Sequence, residues 1–76
     1  MLDYKNHIDS SPSVMLGKPV IKGTRITVEL ILRKLADGFD TKEIIEMYPH
    51  LKMDDVFACL TYAASVIETE EVIKVA

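Results

Sequence analysis

The sequence predicts a mainly α-helical domain: a three-helix, helix-turn-helix-like core, a short N-terminal β-hairpin and a possible C-terminal strand or arm. Apolar residues recur at helical spacing over residues 27–67, whereas residues 1–26 are interrupted by glycine and proline. Seventy-six residues suffice for one small domain. We therefore assign residues 1–76 to a single domain with an extended segment 1–26, a helical core 27–67 and a tail 68–76.

The hairpin is predicted around Gly17-Lys18. Residues 14–16 and 20–21 are apolar, and a glycine in the first position of a two-residue loop is typical of a type II′ hairpin. Pro19 places the second strand at a sheet edge or makes it begin there. Gly23 permits another turn before the helices begin.

The first two helices have recognisable ends. Thr27 is a suitable N-cap for the first helix and Gly38 a suitable residue just beyond its end. Its apolar face is formed by Val28, Ile31, Leu32 and Leu35. Asp40 and Glu43 have the spacing of a capping box for the second helix. Pro49 ends that helix, and residues 49–52 separate it from the third.

The third helix is predicted from about Met53 to about Glu68, and it carries two apolar stripes. The stripe that we expect to face the core is Met53, Phe57, Leu60, Ala64 and Ile67. The stripe that we expect at a homodimer interface is Cys59, Tyr62 and Val66. A monomer that exposes the second stripe is the alternative. The tail alternates poorly for a helix and has strand character, so we expect an added strand or an arm.

Composition limits the classes of function. The chain is 49% hydrophobic with a mean hydropathy of +0.16, high for this length, which favours burial of some apolar surface in a homodimer. No apolar run reaches the roughly 20 residues of a membrane span. The N-terminus lacks a secretory pattern and the single Cys59 excludes a disulfide or a CxxC-type zinc site. We expect a cytoplasmic protein with no membrane partner and no metal.

No pattern in the sequence indicates an enzyme. The glycines and lysines of residues 17–23 do not have the spacing of a phosphate-binding P-loop. His7 and His50 lie beside turns, the acidic residues serve as caps and surface charges, and Cys59 lies on an apolar helix. We therefore expect no catalytic residues, no cofactor and no small-molecule substrate.

The charge is unevenly distributed. Residues 1–34 contain six Lys and Arg against three acidic residues, a net +3, whereas residues 35–76 contain three against nine, a net −6. Asp54 and Asp55 would be repelled from a DNA groove, so the third helix should not read bases. The predicted phosphate contacts are Lys18, Lys22, Arg25 and Arg33. Turn-forming glycines with lysines that serve solubility explain the same segment equally well.

Three segments, GKPVIKGTRITVELIL, LADGFDTKEIIEMYPHL and DDVFACLTYA, resemble domain-of-unknown-function family 433 over about residues 8–64. The chain departs from the family pattern at Met15-Leu16 and at Lys52, where a Thr or Ser usually caps the last helix. The resemblance implies a helix-turn-helix-like domain similar to VapB-type antitoxins. Such proteins neutralise a PIN-like ribonuclease toxin and commonly bind their own promoter DNA.

These observations support one main hypothesis and two alternatives. The main hypothesis is a dimeric type II antitoxin whose tail occupies the toxin. The toxin-binding residues would be Glu71, Val72, Ile73 and Val75. The alternatives are a purely protein-binding module without DNA contact and a standalone DNA-binding transcriptional regulator.

Overall fold

The computed structural model describes residues 3–9 and 17–75, with side chains as far as Glu68 in the last helix. A 3₁₀ helix at Tyr4–Asn6 precedes two strands and three helices. These elements are β1 (Ile8–Asp9), β2 (Val20–Ile21), α1 (Val28–Ala36), α2 (Thr41–Met47) and α3 (Met53–Val75). The predicted fold class, three helices with a short antiparallel hairpin at the N-terminus, is confirmed.

The hairpin pairs different segments from those predicted. β1 and β2 are antiparallel, with Ile8 opposite Ile21 and Asp9 opposite Val20. Residues 14–16, the predicted partner of β2, lie outside the described residues. Ile8 and Ile21 are both buried in the core, so this register places both apolar side chains on the protected side of the sheet.

Helix α1 has the predicted ends. The Thr27 hydroxyl accepts a hydrogen bond from the Leu30 amide, and Gly38 adopts φ 102° just beyond the helix. The Gly38 amide donates to the Leu35 carbonyl, and the next amide donates to the Lys34 carbonyl, each at 3.1 Å. This pair of bonds is a Schellman motif, and only glycine adopts its left-handed position without strain.

The capping box of α2 is also confirmed. The Glu43 amide donates to the Asp40 carboxylate at 2.8 Å, and the Asp40 amide donates to the Glu43 carboxylate at 3.0 Å. Two amides that the helix cannot pair are thereby satisfied. The local sequence alone therefore determines where α2 begins.

Helix α3 begins without a side-chain cap from Lys52, as the sequence comparison with the family pattern suggested. Asp55 compensates, because one of its carboxylate oxygens accepts from the Lys52 amide at 2.9 Å. Its other oxygen lies 3.0 Å from Nδ1 of His7. Asp55 thus joins the start of α3 to the N-terminal segment. A second contact joins the same two elements, because the rings of Tyr4 and Tyr62 meet edge to face with their centroids 5.4 Å apart.

The prediction for the tail is wrong. Helix α3 continues to Val75 instead of ending near Glu68, and residues 68–75 form neither a strand nor a separate arm. Each residue added to an existing helix gains one hydrogen bond, whereas starting a new helix fixes several residues for a single bond. The β-branched residues of the tail can therefore extend α3 although they would not nucleate a helix. Glutamate and lysine in the tail favour the same outcome.

Every strand and α-helix contributes to one core. Its members are Ile8, Val20, Ile21, Val28, Ile31, Ile44, Leu51, Val56, Ala58 and Cys59. The faces predicted for α3 are exchanged. Met53, Phe57, Leu60 and Ile67, expected in the core, are exposed, whereas Cys59 is fully buried and Tyr62 packs against the core. Both stripes have helical spacing, and the small side chains of Ala58 and Cys59 suit close contact with the rest of the domain.

Candidate nucleic-acid interface

A tight turn follows β2 and presents two cations. The Ile21 amide donates to the Ile26 carbonyl at 2.9 Å, which closes the turn over residues 22–25. The Thr24 hydroxyl donates to the Ile21 carbonyl at 2.7 Å and accepts from the Ile26 amide at 3.0 Å. Gly23 has φ 77°, a left-handed conformation that favours glycine. Lys22 and Arg25 therefore project from a backbone held by hydrogen bonds at both ends.

The turn forms an open concavity of about 570 Å³. Its lining is Lys22, Gly23, Thr24, Arg25, Ile26 and His50. Lys22 and Arg25 are exposed, and neither forms an ion pair with any described side chain of residues 3–9 and 17–68. His50 belongs to the connection between α2 and α3 and can donate a hydrogen bond in either protonation state. We call this surface the basic concavity.

The other two predicted phosphate contacts, Lys18 and Arg33, both form ion pairs. Lys18 Nζ lies 3.2 Å from one Glu29 carboxylate oxygen, and Arg33 Nε lies 3.4 Å from the other. The hydrogen bond and charge of Lys18, followed by those of Arg33, hold the pKa of Glu29 below its usual range. Arg33 lines a separate, mostly apolar groove of about 450 Å³ between α1 and α3. The four predicted phosphate contacts therefore fall into two groups.

The start of α3 is unsuited to reading a DNA groove. Asp54 is exposed, and Asp55 is engaged by His7 and by the Lys52 amide. From Met53 to Glu68 the helix has no Lys or Arg. A helix-turn-helix protein usually places this part of its second helix against base edges, where these carboxylates would meet phosphate repulsion.

Comparison with known proteins assigns the chain to a family. Residues 8–63 match the family model described as "Protein of unknown function (DUF433)". The chain belongs to the DUF433 family. A curated relative, the uncharacterized protein y4eO of Sinorhizobium fredii (strain NBRC 101917 / NGR234), is 30% identical over 56 residues, which are 74% of this chain and 25% of the relative. This DUF433 chain thus spans about a quarter of that relative's length.

A solved structure resembles this DUF433 chain throughout. The crystal structure of a DUF433 member protein from Anabaena variabilis ATCC 29413 superposes with a TM-score of 0.78 at 28% sequence identity. The match covers 95% of this chain and 71% of that one. The fold is therefore shared with a family member that differs at most sequence positions.

Of the three residues predicted at a dimer interface of this DUF433 chain, Cys59 is buried within its own chain. That side chain is 0% exposed, so in this structure it presents no surface to a partner. Burial, and then the charge of Asp55, raises the pKa of the Cys59 thiol to about 12, so the thiol stays protonated at neutral pH. Tyr62 is half-buried and Val66 is 42% exposed on the same side of the helix.

The residues predicted to bind a toxin lie on the last turns of α3. The backbone of Glu71, Val72, Ile73 and Val75 is helical, and their side chains fall outside those described. Any partner would therefore meet this segment as a helix.

None of the helices in the described part of this DUF433 chain has the length and apolar character needed to cross a membrane.

The sequence does not indicate the roles of two residues, His50 in the basic concavity and Glu29 beside the other two cations. His50 follows a turn-forming proline, and no local pattern places it beside a turn 25 positions earlier. From the sequence, Glu29 is one of the surface charges. Its four-residue separation from Arg33 could have indicated their ion pair, but the contact with Lys18 depends on the path of the chain before α1.

Proposed function

We propose that this DUF433 chain binds nucleic acid through the basic concavity, as an antitoxin does at its own promoter. The observation that supports this most is the pair of exposed cations, Lys22 and Arg25, on a turn held by hydrogen bonds and without ion pairs among the described residues. No described carboxylate neutralises the charge of either side chain. Contact of these two cations with DNA phosphates would release counterions from the DNA and would form charge-assisted hydrogen bonds.

The proposed contact is with the DNA backbone and not with base edges. The concavity presents two cationic side chains and one imidazole, which are suitable donors to phosphate oxygens. The neighbouring start of α3 is acidic. Backbone contacts position a protein on a duplex without reading sequence. Binding to the upstream DNA of the gene should therefore depend strongly on salt, and discrimination between sequences should be modest unless other residues contribute.

Fluorescence anisotropy with a labelled duplex from that upstream region tests the proposal at several salt concentrations. The double substitution Lys22→Gln and Arg25→Gln should reduce the salt slope of log K by about 1.8, because each phosphate contact contributes about 0.9. The matched control is Lys18→Gln with Arg33→Gln, which removes the same charge from cations that Glu29 already pairs. Equal losses in the two double variants, or no binding by the wild type at low salt, would contradict the proposal.

The toxin-neutralising part of the proposal concerns the end of α3. A helix that continues to Val75 offers residues 71–75 as a helical segment for a groove on a PIN-like ribonuclease. A pull-down from host lysate with the full chain and with a chain ending at residue 67 tests this part. Recovery of a ribonuclease by the full chain alone is the expected result, and equal recovery by both baits would move the contact elsewhere.

Two other functions remain testable with the same reagents. A purely protein-binding module is favoured by the exposed apolar side chains of α3, and it would bind partners but show no salt-dependent affinity for DNA. A standalone transcriptional regulator would bind the duplex, and no ribonuclease would copurify with it. The two assays above distinguish both from an antitoxin.

A further inference from the structure

An apolar stripe runs along the solvent side of α3. Its members, which we call the α3 seam, are Met53, Phe57, Leu60, Ala64 and Ile67. Every one of them is exposed, and the four large side chains have 43–56% of their surface exposed. A soluble domain rarely leaves such a contiguous set of large apolar side chains on one helix face uncovered without a partner.

The spacing of the seam is that of a coiled coil. Its members alternate four and three positions apart, which is the heptad repeat with Phe57 and Ala64 at a positions and Met53, Leu60 and Ile67 at d positions. The next positions of the repeat are Glu71 and Lys74, so the repeat is apolar for about two heptads. An apolar repeat of this period matches another helix better than it matches a flat or irregular surface.

The seam lies away from the core of its own chain. The buried residues of α3 are Val56, Ala58 and Cys59, and no side chain from Leu60 to Glu68 is fully buried. At 1.5 Å per residue, the 23 residues of α3 span about 34 Å. Among the side chains that the structure describes, Leu60, Ala64 and Ile67 of the seam lie beyond Cys59, the last fully buried residue of α3.

We propose that a second copy of this chain covers the seam, with the two α3 helices paired as a short parallel coiled coil. Parallel pairing sets each seam residue against the same residue of the other copy, and the small Ala64 allows the backbones to approach. Antiparallel pairing would bring Asp54 of one helix near Glu68 of the other within the apolar part of the repeat, because both occupy e positions. Parallel pairing confines its like-charge contacts, Glu71 with Glu71 and Lys74 with Lys74, to the end of the helix beyond the seam.

The area of the seam sets the expected strength. Taking about 200 Å² for a fully exposed large apolar side chain, the four exposures leave about 370 Å² on each copy. Two such seams would bury about 750 Å² of apolar surface, below the roughly 1,200 Å² at which stable interfaces begin, so the dimer should be weak. We expect a dissociation constant in the micromolar range. This dimer does not depend on nucleic-acid binding.

Sedimentation equilibrium of the DNA-free protein tests the seam with two neighbouring substitutions. Ile67→Glu places a charge in the seam and should raise the dissociation constant at least tenfold. Val66→Glu makes the same change at the next residue, on the side of Cys59 and Tyr62, and should leave the dimer intact. Loss of the dimer in Val66→Glu with retention in Ile67→Glu would overturn the proposal, as would a wild type that stays monomeric at hundreds of micromolar.

A cross-linking experiment tests the orientation. In the parallel pair Leu60 faces Leu60 of the second copy, so Leu60→Cys should form an intermolecular disulfide under mild oxidation. The wild type is the control, because its own thiol, Cys59, is buried. In an antiparallel pair position 60 would face position 64. Cross-linking that needs Leu60→Cys and Ala64→Cys together would overturn the parallel arrangement.

Discussion

Glu29 should act as an internal competitor for the DNA phosphates. Its carboxylate pairs with Lys18 at 3.2 Å and with Arg33 at 3.4 Å, and the lowered pKa of Glu29 reflects both interactions. The substitution Glu29→Gln leaves the side-chain shape nearly unchanged and removes the charge that holds the two cations. We therefore expect Glu29→Gln to bind DNA more tightly than the wild type does.

The size of the gain follows from the number of cations released. If both reach phosphates, the salt slope of log K steepens by at most about 1.8, which corresponds to about 60-fold tighter binding at about 0.1 M salt. Anisotropy titrations of wild type and Glu29→Gln at matched salt concentrations measure both quantities. Asp37→Asn is the control, since it makes the same charge change at an exposed residue that forms no ion pair in the described part of the chain.

An unchanged slope in Glu29→Gln would show that Lys18 and Arg33 lie too far from the duplex to contribute. Weaker binding, in a variant whose circular dichroism matches that of the wild type, would show that Glu29 does not compete with the DNA phosphates for Lys18 and Arg33. An equal gain in Asp37→Asn would mean that net charge, and not the release of these two cations, controls affinity.

Two further predictions concern the fold. Asp55→Ala removes the acceptor for the Lys52 amide as well as the contact with His7, so it should lower the free energy of unfolding by about 2 kcal/mol, against about 1 kcal/mol for His7→Ala; urea denaturation measures both, and equal losses would contradict the double role. Cys59 should react with a thiol reagent only as the chain unfolds, because the thiol is buried with a pKa of about 12; rapid labelling of the native protein would contradict this.

Local chemistry made much of the fold predictable. Thr27, Gly38 and the Asp40–Glu43 pair act through hydrogen bonds within a few residues, so their roles can be read from adjacent positions. The strand partner of β2 could not be predicted in the same way. Several extended apolar segments compete for one strand, and only the core decides that Ile8 lies opposite Ile21.

The faces of α3 show the limit more clearly. Periodicity identified two apolar stripes, and either could have packed against the domain. The decision depends on long-range contacts, such as Tyr4 against Tyr62 and His7 with Asp55, which join residues almost 50 positions apart or more. For the same reason the sequence indicated which cations could contact phosphates but not that Glu29 pairs two of them.

We expect the turn after β2, and not the start of α3, to contact DNA. An NMR titration of ¹⁵N-labelled protein with a short duplex tests it most directly, because each amide reports its own environment. The largest chemical-shift changes should fall on residues 22–26 and on His50, and they should diminish as salt is raised. Largest changes at residues 53–55, with little at residues 22–26, would contradict it.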